Sequence, residues 1–442
     1  MKSTRQYYIE GSRATEIAAS IEAGLREGEL APGQQLPTVR WLAADLGLSP
    51  VTVAAAYRLL RQRGLITTHR RRGTTISLGP ALATRGPVQV SNDVRNLADG
   101  SPDRALLPSL KTALTRVNPV PQLYGEQPAL PQLMELAERQ LKEDGLPTAA
   151  LTLVGGAMDA FERVLRAETT RGQRVAIEDP GHANLLDLIG ALGLEPEPIR
   201  VDDRGPTPEH LERALRRGVR AVIVTPRAQN PTGAALDPER VEDLASVLAG
   251  RSDTLWIEDD HSARVSGAPA QTLVTRGPAR WVVIRSVSKA LGPDLRLAVV
   301  AGDARTIARV EGQRLVGAGW VSGVLQQLVL GLWSDPDVER LIQRAADTYR
   351  ERRQALLDSL EAAGIAAHGR SGLNVWVPVA EERTPARLLL ESGWAISPGE
   401  RFRIVSPPAL RITITSLDVN EAPLLAEDLL RALEPVRRVY GA

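Results

Sequence analysis

The sequence predicts an α/β protein with a small basic module at its N-terminus and a larger body built on a mostly parallel sheet. The chain has 442 residues, which exceeds the usual size of one domain. Residues 1–90 hold 12 Lys or Arg against 6 Asp or Glu, although the whole chain has a net charge of only +1. From about Asn96 onwards, short apolar runs alternate with amphipathic helical stretches, which is the order of a helix-covered parallel sheet.

The composition excludes several classes of protein. The chain is 43% hydrophobic and 24% charged, and no apolar run reaches the length of a membrane span. The N-terminus lacks the apolar segment of a secretory signal, so we expect a cytoplasmic protein without a membrane partner. The chain has no cysteine, and its five histidines lack metal-ligand spacing. We therefore expect neither disulfides nor a metal site.

The N-terminal module is predicted to contain three helices and a two-stranded wing. A helical pattern covers residues 14–26, a second short helix begins at Thr38, and a third covers residues 50–63 with Ser49 as its N-cap. Two helices joined by a short turn that contains glycine are a helix-turn-helix. The basic run that follows, HRRRG, lies between two short strand-like segments and is predicted to be the turn of the wing.

The segment LAPGQQLPTVRWLAADLGLSPVTVAAAYRLLRQRGLI resembles the winged helix-turn-helix of the GntR superfamily, over residues 13–78. The resemblance implies that the module binds double-stranded DNA. Arg40, Val51 and Thr52 would lie in the major groove, and the wing at Gly73 would lie near the minor groove. The phosphates would be contacted by Arg58, Arg61, Arg70, Arg71 and Arg72. One departure is Pro50, where many members carry arginine, and proline cannot recognise a guanine. The alternative is a solvated basic helix pair with another role.

The predicted domain limits follow from composition. Residues 1–78 form the winged helix-turn-helix domain, residues 79–95 form a linker rich in proline and glycine, and residues 96–442 form the body.

Lys289 is unusual because lysine is rare in this chain. Only four of the 54 Lys and Arg residues are lysine, and Lys289 is the last of them, in SVSKALGPDLR. Unlike arginine, lysine can lose its proton and attack a carbonyl. The alternative is an ordinary surface lysine.

Polar motifs follow several predicted strands in the body. They are Gly155-Gly156-Ala157, Asn230-Pro231-Thr232-Gly233, Glu258-Asp259-Asp260 and Ser286-x-Ser288-Lys289 with Arg296 seven residues on. Each motif alone is typical of a helix start, a turn or a solvated loop. In this order they suit a phosphorylated aromatic aldehyde, since glycines at a helix N-terminus leave N–H groups free for an anion.

These motifs, with YGEQPAL at 124–130 and GSPDRALLP at 100–108, resemble the fold-type I aminotransferases that use pyridoxal 5′-phosphate (PLP). Together with the N-terminal module, the whole chain resembles the MocR group of bacterial regulators. The resemblance implies a central sheet with helices on both faces and a small C-terminal α/β subdomain. It also implies a homodimer, head-to-tail, and a small-molecule effector such as an amino acid or an amine.

The resemblance also implies the roles of individual residues. Lys289 is the lysine that forms the Schiff base with PLP, and Asp259, with Asp260 as the rival, pairs with the pyridine nitrogen. Asn230 meets the ring oxygen, and Arg411 binds a substrate or effector carboxylate. The phosphate is bound by Gly156, Ala157, Ser286, Ser288 and Arg296, together with Tyr124 of the neighbouring subunit.

Two departures affect the cofactor pocket. His182 replaces the aromatic residue that stacks on the cofactor ring, and His261 replaces a tyrosine beside the ring oxygen. The favoured hypothesis is a DNA-binding transcriptional regulator that binds PLP or a PLP–amine adduct as its effector. Two alternatives stay open: an active PLP-dependent aminotransferase with an accessory DNA-binding module, and a regulator whose cofactor pocket is degenerate.

Overall fold

The computed structural model describes residues 8–31, 33–62, 65–69, 73–76, 91, 93–118, 122–251 and 253–434. These residues separate into two compact units. One unit contains the described residues before 88 together with 187–195, and the other contains the remainder. The predicted domain limits stay a prediction, since residues 77–90 and 92 lie outside the described ranges. Within those ranges, no helix is both long enough and apolar enough to cross a membrane.

The first unit contains the three predicted helices and both wing strands. Their bounds are α1 (Ala14–Arg26), α2 (Val39–Asp45), α3 (Pro50–Gln62), β1 (Ile66–His69) and β2 (Gly73–Ile76). Thr38 and Ser49 begin α2 and α3, because the side-chain oxygen of each accepts a hydrogen bond from the backbone three residues on, at 3.2 Å. Strands β1 and β2 pair antiparallel. The helix-turn-helix and wing are confirmed, while Arg63 and residues 70–72 lie outside the described ranges.

A compact apolar core holds this unit together. Ile17 and Ile21 lie one helical turn apart on α1 and are fully buried. Leu42 of α2 and Leu60 of α3 are at most 1% exposed. Residues four apart lie on one face of a helix, so α1 packs its apolar face on α3.

The second unit contains the remaining elements, except that residues 187–195 are grouped with the first unit. Its helices are α4 (Leu110–Leu114), α5 (Pro131–Glu143), α6 (Ala157–Glu168), α7 (Ala183–Ala191), α8 (Pro208–Arg216), α9 (Pro238–Leu248), α10 (Ala304–Leu315), α11 (Gly323–Trp333), α12 (Pro336–Ala362), α13 (Arg383–Glu391) and α14 (Ala422–Leu433). Its strands are β3 (Arg95–Asn96), β4 (Ala150–Val154), β5 (Arg174–Asp179), β6 (Glu195–Asp202), β7 (Gly205–Pro206), β8 (Ala221–Val224), β9 (Leu255–Asp259), β10 (Trp281–Ser286), β11 (Ala298–Gly302), β12 (Asn374–Pro378), β13 (Trp394–Ala395), β14 (Ser397–Pro398) and β15 (Ala409–Thr413). Residues 187–195 include part of α7 and the first residue of β6.

An eight-stranded sheet forms the centre of this unit, in the order β4-β11-β10-β9-β8-β5-β6-β7. Strands β5, β8, β9 and β10 run parallel to one another, whereas β11 runs antiparallel to both of its neighbours. The predicted sheet is therefore confirmed in a mixed form. Every residue of β8, β9, β10 and β11 is buried, as expected of strands that helices cover on both faces.

The direction of the strands positions the polar motifs. Because β4, β5, β8, β9 and β10 point the same way, their carboxyl ends meet at one edge of the sheet. Two smaller sheets, β12-β15-β14 and β13-β3, belong to the C-terminal part of the unit. Strand β15 carries Arg411, which also lies beside this edge because it bonds to Asn230.

Candidate cofactor site

A cavity of about 220 Å³ lies at the carboxyl edge of the central sheet. The predicted cofactor residues that line it are Ala157, His182, Asn230, Asp259, His261, Ser286, Ser288, Lys289 and Arg296. Gly156 adjoins the cavity beneath Arg296. The structure therefore brings together residues that are spread over 140 positions of the sequence, from Gly156 to Arg296.

One end of the cavity is rich in donors for an anion. Gly156 is the N-cap of α6, has a φ of +99°, and has no side chain to cap the helix. A Cβ atom at Gly156 would come within 2.8 Å of the Arg296 guanidinium, so the missing side chain lets that cation lie against the backbone. The hydroxyls of Ser286 and Ser288 lie 2.9 Å apart beside them. This end fits a phosphate group.

Lys289 lies in the middle of the cavity. Its Nζ donates a hydrogen bond to the carbonyl oxygen of Gly100 at 2.7 Å. Burial lowers the pKa of Lys289 to about 8, and the positive charge of Arg411 contributes to the lowering. A larger fraction of neutral amine is therefore present near neutral pH than in an exposed lysine, which is what a nucleophilic amine requires.

Asp259 ends β9 and offers an unused acceptor to the cavity. The residue is 4% exposed, and its Oδ1 has no hydrogen-bond partner among the described residues. Its Oδ2 lies 3.3 Å from Nδ1 of His261. A buried carboxylate oxygen without a partner is costly, so this atom fits a cationic N–H group of a ligand, such as the protonated nitrogen of a pyridine ring.

Asp260, the rival for this role, lies in an ionic cluster outside the cavity lining. Its carboxylate accepts hydrogen bonds from Arg227 and Arg285 at 2.6 to 3.0 Å. Burial would raise the pKa of Asp260, but the charges of Arg285 and Arg227 outweigh burial and hold that pKa well below its usual range. Both oxygens of Asp260 are therefore occupied by protein donors, whereas Oδ1 of Asp259 has no partner among the described residues.

The two histidines that replace family aromatics both line the cavity. Burial lowers the pKa of His182 to about 4. The charge of Asp259 raises the same pKa, but its effect is smaller than that of burial. His182 is consequently a neutral, planar ring at neutral pH. His261 contacts Asp259 through Nδ1. The assignment of stacking to His182 and of the ring oxygen to His261 stays a prediction.

Arg411 is a buried cation. Among the described residues, no carboxylate accepts a hydrogen bond from its guanidinium group. Its guanidinium donates to the Asn230 side chain at 3.2 Å and to the carbonyl of Ala98, and it lies 4.7 Å from the centre of the Phe402 ring. Burial lowers the pKa of Arg411 to about 10. Because these contacts leave its charge without a bonded anion, Arg411 fits a ligand carboxylate.

Tyr124 does not line the cavity of its own chain. Its side chain is 93% exposed and packs edge-on against Trp320, with 5.5 Å between ring centres. The predicted contact with the neighbouring subunit's phosphate stays a prediction.

Several lining residues were missed by sequence reasoning. Asn184 and Ser262 each follow a predicted residue by one or two positions, and this proximity was the available signal. Leu373 and Asn374, at the start of β12, come from the C-terminal part of the chain. Nothing in their local sequence indicates that they meet the central sheet.

The predicted DNA-contacting residues lie on the first unit. Arg40 and Arg58 are exposed, and Val51 is 77% exposed at the start of α3. The hydroxyl of Thr52 lies 3.0 Å from that of Ser49, so it is engaged within the turn. Gly73 begins β2 with a φ of +73°. Arg70, Arg71 and Arg72 lie outside the described residues.

Comparisons with known proteins agree with this architecture. Residues 92–429 match the family model of class I and II aminotransferases, and residues 13–76 match that of bacterial regulatory proteins of the gntR family. The chain is 39% identical over 428 residues to the vitamin B6 salvage pathway transcriptional repressor PtsJ of Salmonella typhimurium, covering 96% of this chain and 99% of that protein.

More distant relatives include a regulator and an aminotransferase. The chain is 28% identical over 365 residues to the pyridoxine biosynthesis transcriptional regulator PdxR of Corynebacterium glutamicum, covering 78% of each. The solved kynurenine aminotransferase of Pyrococcus horikoshii superposes with a TM-score of 0.69 at 23% identity, covering 78% of this chain and 91% of that one. The chain belongs to the MocR type of GntR-family transcriptional regulators, in which a helix-turn-helix precedes a class I and II aminotransferase domain.

Proposed function

We propose that this regulator binds PLP, or a PLP–amine adduct, in the 220 Å³ cavity and that the occupied cavity changes its affinity for promoter DNA. The observation that carries the proposal is the unpartnered Oδ1 of Asp259 in a cavity that also contains Lys289. The relatives named for vitamin B6 salvage and pyridoxine biosynthesis support the same ligand. The site of action is the cytoplasm, where bacterial promoter DNA lies.

The residues of the cavity suit each part of this cofactor. Gly156, Arg296, Ser286 and Ser288 would hold the phosphate, Asp259 the ring nitrogen, and Asn230 and His261 the ring oxygen. When bound, PLP supplies an aldehyde that amines attack and a ring that withdraws electrons from the attached amine.

The protein's own groups then orient and select a second ligand. Lys289 provides a neutral amine, because burial lowers its pKa to about 8. The buried guanidinium of Arg411 would bind the carboxylate of an amino acid beside Asn230. The effector class that this arrangement favours is an amino acid or an amine with a nearby carboxylate.

A homodimer would complete the regulator. Large apolar side chains are exposed on two segments of the second unit: Leu123 and Tyr124 on one, and Leu315 and Val316 on the other, each between 65% and 93% exposed. Exposed apolar groups of this size are typical of a protein interface. A two-fold dimer would present two helix-turn-helix units to a palindromic operator.

The test combines spectroscopy with DNA binding. The purified protein is mixed with PLP and freed of unbound PLP by gel filtration, and its absorption spectrum is compared with that of Lys289→Ala treated in the same way. We expect a band near the visible edge in the wild type and none in the variant. Electrophoretic mobility shifts then compare the upstream region of its own gene with random DNA of equal length, with and without PLP. Equal affinity for both DNAs under both conditions would overturn the proposal.

Active transamination is the second candidate, because Lys289 and Arg411 are both present in the orientation described above. It predicts that an amino acid converts bound PLP to its amine form and that a keto acid restores it. The absence of turnover with a panel of amino acids would contradict this candidate and leave the regulatory function standing.

A further inference from the structure

A second cavity, of about 540 Å³, lies on the other side of the segment that follows β5. It shares no lining residue with the cofactor cavity. Its walls come from β6, α8, β12 and residues 405–408. The volume lies within the range of about 300–1,000 Å³ that is typical of small-molecule sites.

The acidic residues that line this cavity are all bonded to protein groups. The carboxylate of Asp179 accepts hydrogen bonds from the backbone N–H groups of residues 404–406 and from the Ser406 hydroxyl, at 2.8 to 2.9 Å. Glu197 accepts from Arg217 at 2.8 and 3.0 Å. Neutral donors stabilise the charge of Asp179, whereas the cation Arg217 compensates that of Glu197.

The remaining two acids are paired in the same way. Asp202 accepts two hydrogen bonds from Arg240, at 2.8 and 3.0 Å, and Asp203 lies 2.9 Å from Nδ1 of His368. The hydrogen bond to Asp203 raises the pKa of His368, which favours a charged and neutralised pair.

The lining also includes two exposed arginines. Among the described residues, the guanidinium groups of Arg200 and Arg213 have neither an ion pair nor a hydrogen bond. Burial lowers the pKa of His210, which lines the same cavity, and the charges of Arg213 and Arg200 lower it further. Nδ1 of His210 lies 2.8 Å from the Thr207 hydroxyl.

Part of the lining is apolar. It includes Trp376, which is 6% exposed, Val405, which is 75% exposed, and three prolines: Pro378, Pro407 and Pro408. An exposed valine in the same lining as a tryptophan and prolines offers a rigid surface for a flat apolar group.

We propose that this cavity is a second ligand site, which binds an amphipathic organic anion: a flat apolar body against Trp376 and Val405, with a carboxylate or phosphomonoester bonded to Arg200 and Arg213. The site is separate from the cofactor cavity and goes beyond the proposed function.

One segment connects the two cavities. Residues 404–406 are held by Asp179, and the adjoining Phe402 accepts a hydrogen bond from Gly181 at 2.8 Å. The ring of Phe402 contacts Arg411, while Val405 lines the second cavity. A ligand against Val405 would therefore lie on the segment whose Phe402 ring contacts Arg411.

The test uses 2-naphthoate and 2-naphthyl phosphate as probes, with uncharged 2-naphthamide for comparison. Each is titrated by isothermal calorimetry into protein that has been loaded with PLP and freed of excess. If the protein retains no PLP, the protein as purified is titrated instead. A failure to bind PLP then contradicts the proposed function, and a failure to bind the probes contradicts the second site. The comparison of the two anions identifies the preferred head group.

The variants separate the site from general effects of charge. We expect one probe per chain, binding to wild type at least about tenfold more tightly than to the Arg200→Gln, Arg213→Gln double variant, because each hydrogen bond to a charged group contributes about that factor. Arg216→Gln is the matched control, because Arg216 lies on α8 like Arg213 but pairs with Glu212 at 2.6 Å. It should bind the anions as wild type does.

All three proteins must have the same melting temperature for this comparison. Equal binding of the naphthamide and the two anions, equal binding by the double variant, or no saturable binding to the wild type would each overturn the second site.

Discussion

The amine of Lys289 donates a hydrogen bond to the carbonyl oxygen of Gly100, with 2.7 Å between Nζ and O, although 189 positions separate the two residues. Burial and the charge of Arg411 lower the pKa of the same amine. A lowered pKa is what the proposed role of Lys289 as a nucleophile requires.

The attachment of PLP should depend on pH in a specific way. Only the neutral amine reacts, and the pKa of Lys289 is lowered from 10.5 to about 8. About one tenth of the amine is therefore neutral at pH 7. The attachment rate, measured by stopped-flow absorbance, should rise with pH and level off above pH 8. Arg411→Gln removes a positive charge and should move the midpoint to higher pH. A midpoint near 10.5 in the wild type would contradict this.

Asp259 and Asp260 should have opposite phenotypes. Asp259→Asn removes the negative charge of a carboxylate whose Oδ1 has no partner among the described residues, so PLP affinity should fall at least about tenfold with little loss of stability. Asp260→Asn leaves Arg227 and Arg285 without their buried counter-charge and should lower the free energy of unfolding by about 3–5 kcal/mol. Urea denaturation and PLP titration measure the two effects. Equal effects of both variants on PLP affinity would refute the assignment.

Gly156→Ala should impair the phosphate end of the cavity. The φ of +99° disfavours alanine, and the new Cβ would lie 2.8 Å from the Arg296 guanidinium. We expect PLP affinity, measured by absorbance titration, to fall at least about tenfold. Gly172→Ala is the control, because Gly172 also has a positive φ of +84° but nothing within 4 Å of the added atom. It should cost about 1 kcal/mol of stability and leave PLP binding unchanged. A similar loss of affinity in both would sink the prediction.

The start of α3, the second helix of the helix-turn-helix, should contact thymine methyl groups in DNA. Val51 is 77% exposed at its start, whereas the nearby hydroxyls of Ser49 and Thr52 bond to each other. In duplexes selected from a random pool, replacing contacted thymine by deoxyuridine removes one methyl group and should weaken binding about fourfold. Val51→Ala should bind the two duplexes equally in a fluorescence anisotropy titration. A thymine preference that persists in Val51→Ala would rule out this contact.

Much of the molecule could be predicted from local sequence. The bounds of α1 and the caps of α2 and α3 follow from short-range hydrogen bonds and from apolar residues three and four apart. The order of motifs along the chain was enough to predict the fold, because each motif follows a strand and parallel strands end at one edge. The role of Lys289 as the reactive lysine stays a prediction.

The choice between Asp259 and Asp260 shows where that local information ends. Adjacent residues at the end of a strand point in opposite directions, so one carboxylate faces the cavity and the other does not. The local sequence does not show which carboxylate faces the cavity. Asp260 is bonded by Arg227 and Arg285, which lie 33 and 25 positions away from it in the sequence.

What the sequence by itself determined was the kind of protein: a helix-turn-helix joined to an aminotransferase-like body. Only the tertiary structure decided which charges are compensated. It gives every acid of the second cavity a hydrogen-bond partner and, among the described residues, leaves the guanidinium groups of Arg200 and Arg213 without one. The physical reason is that a charge is compensated by groups that packing brings within hydrogen-bond distance, and those groups come from distant parts of the chain.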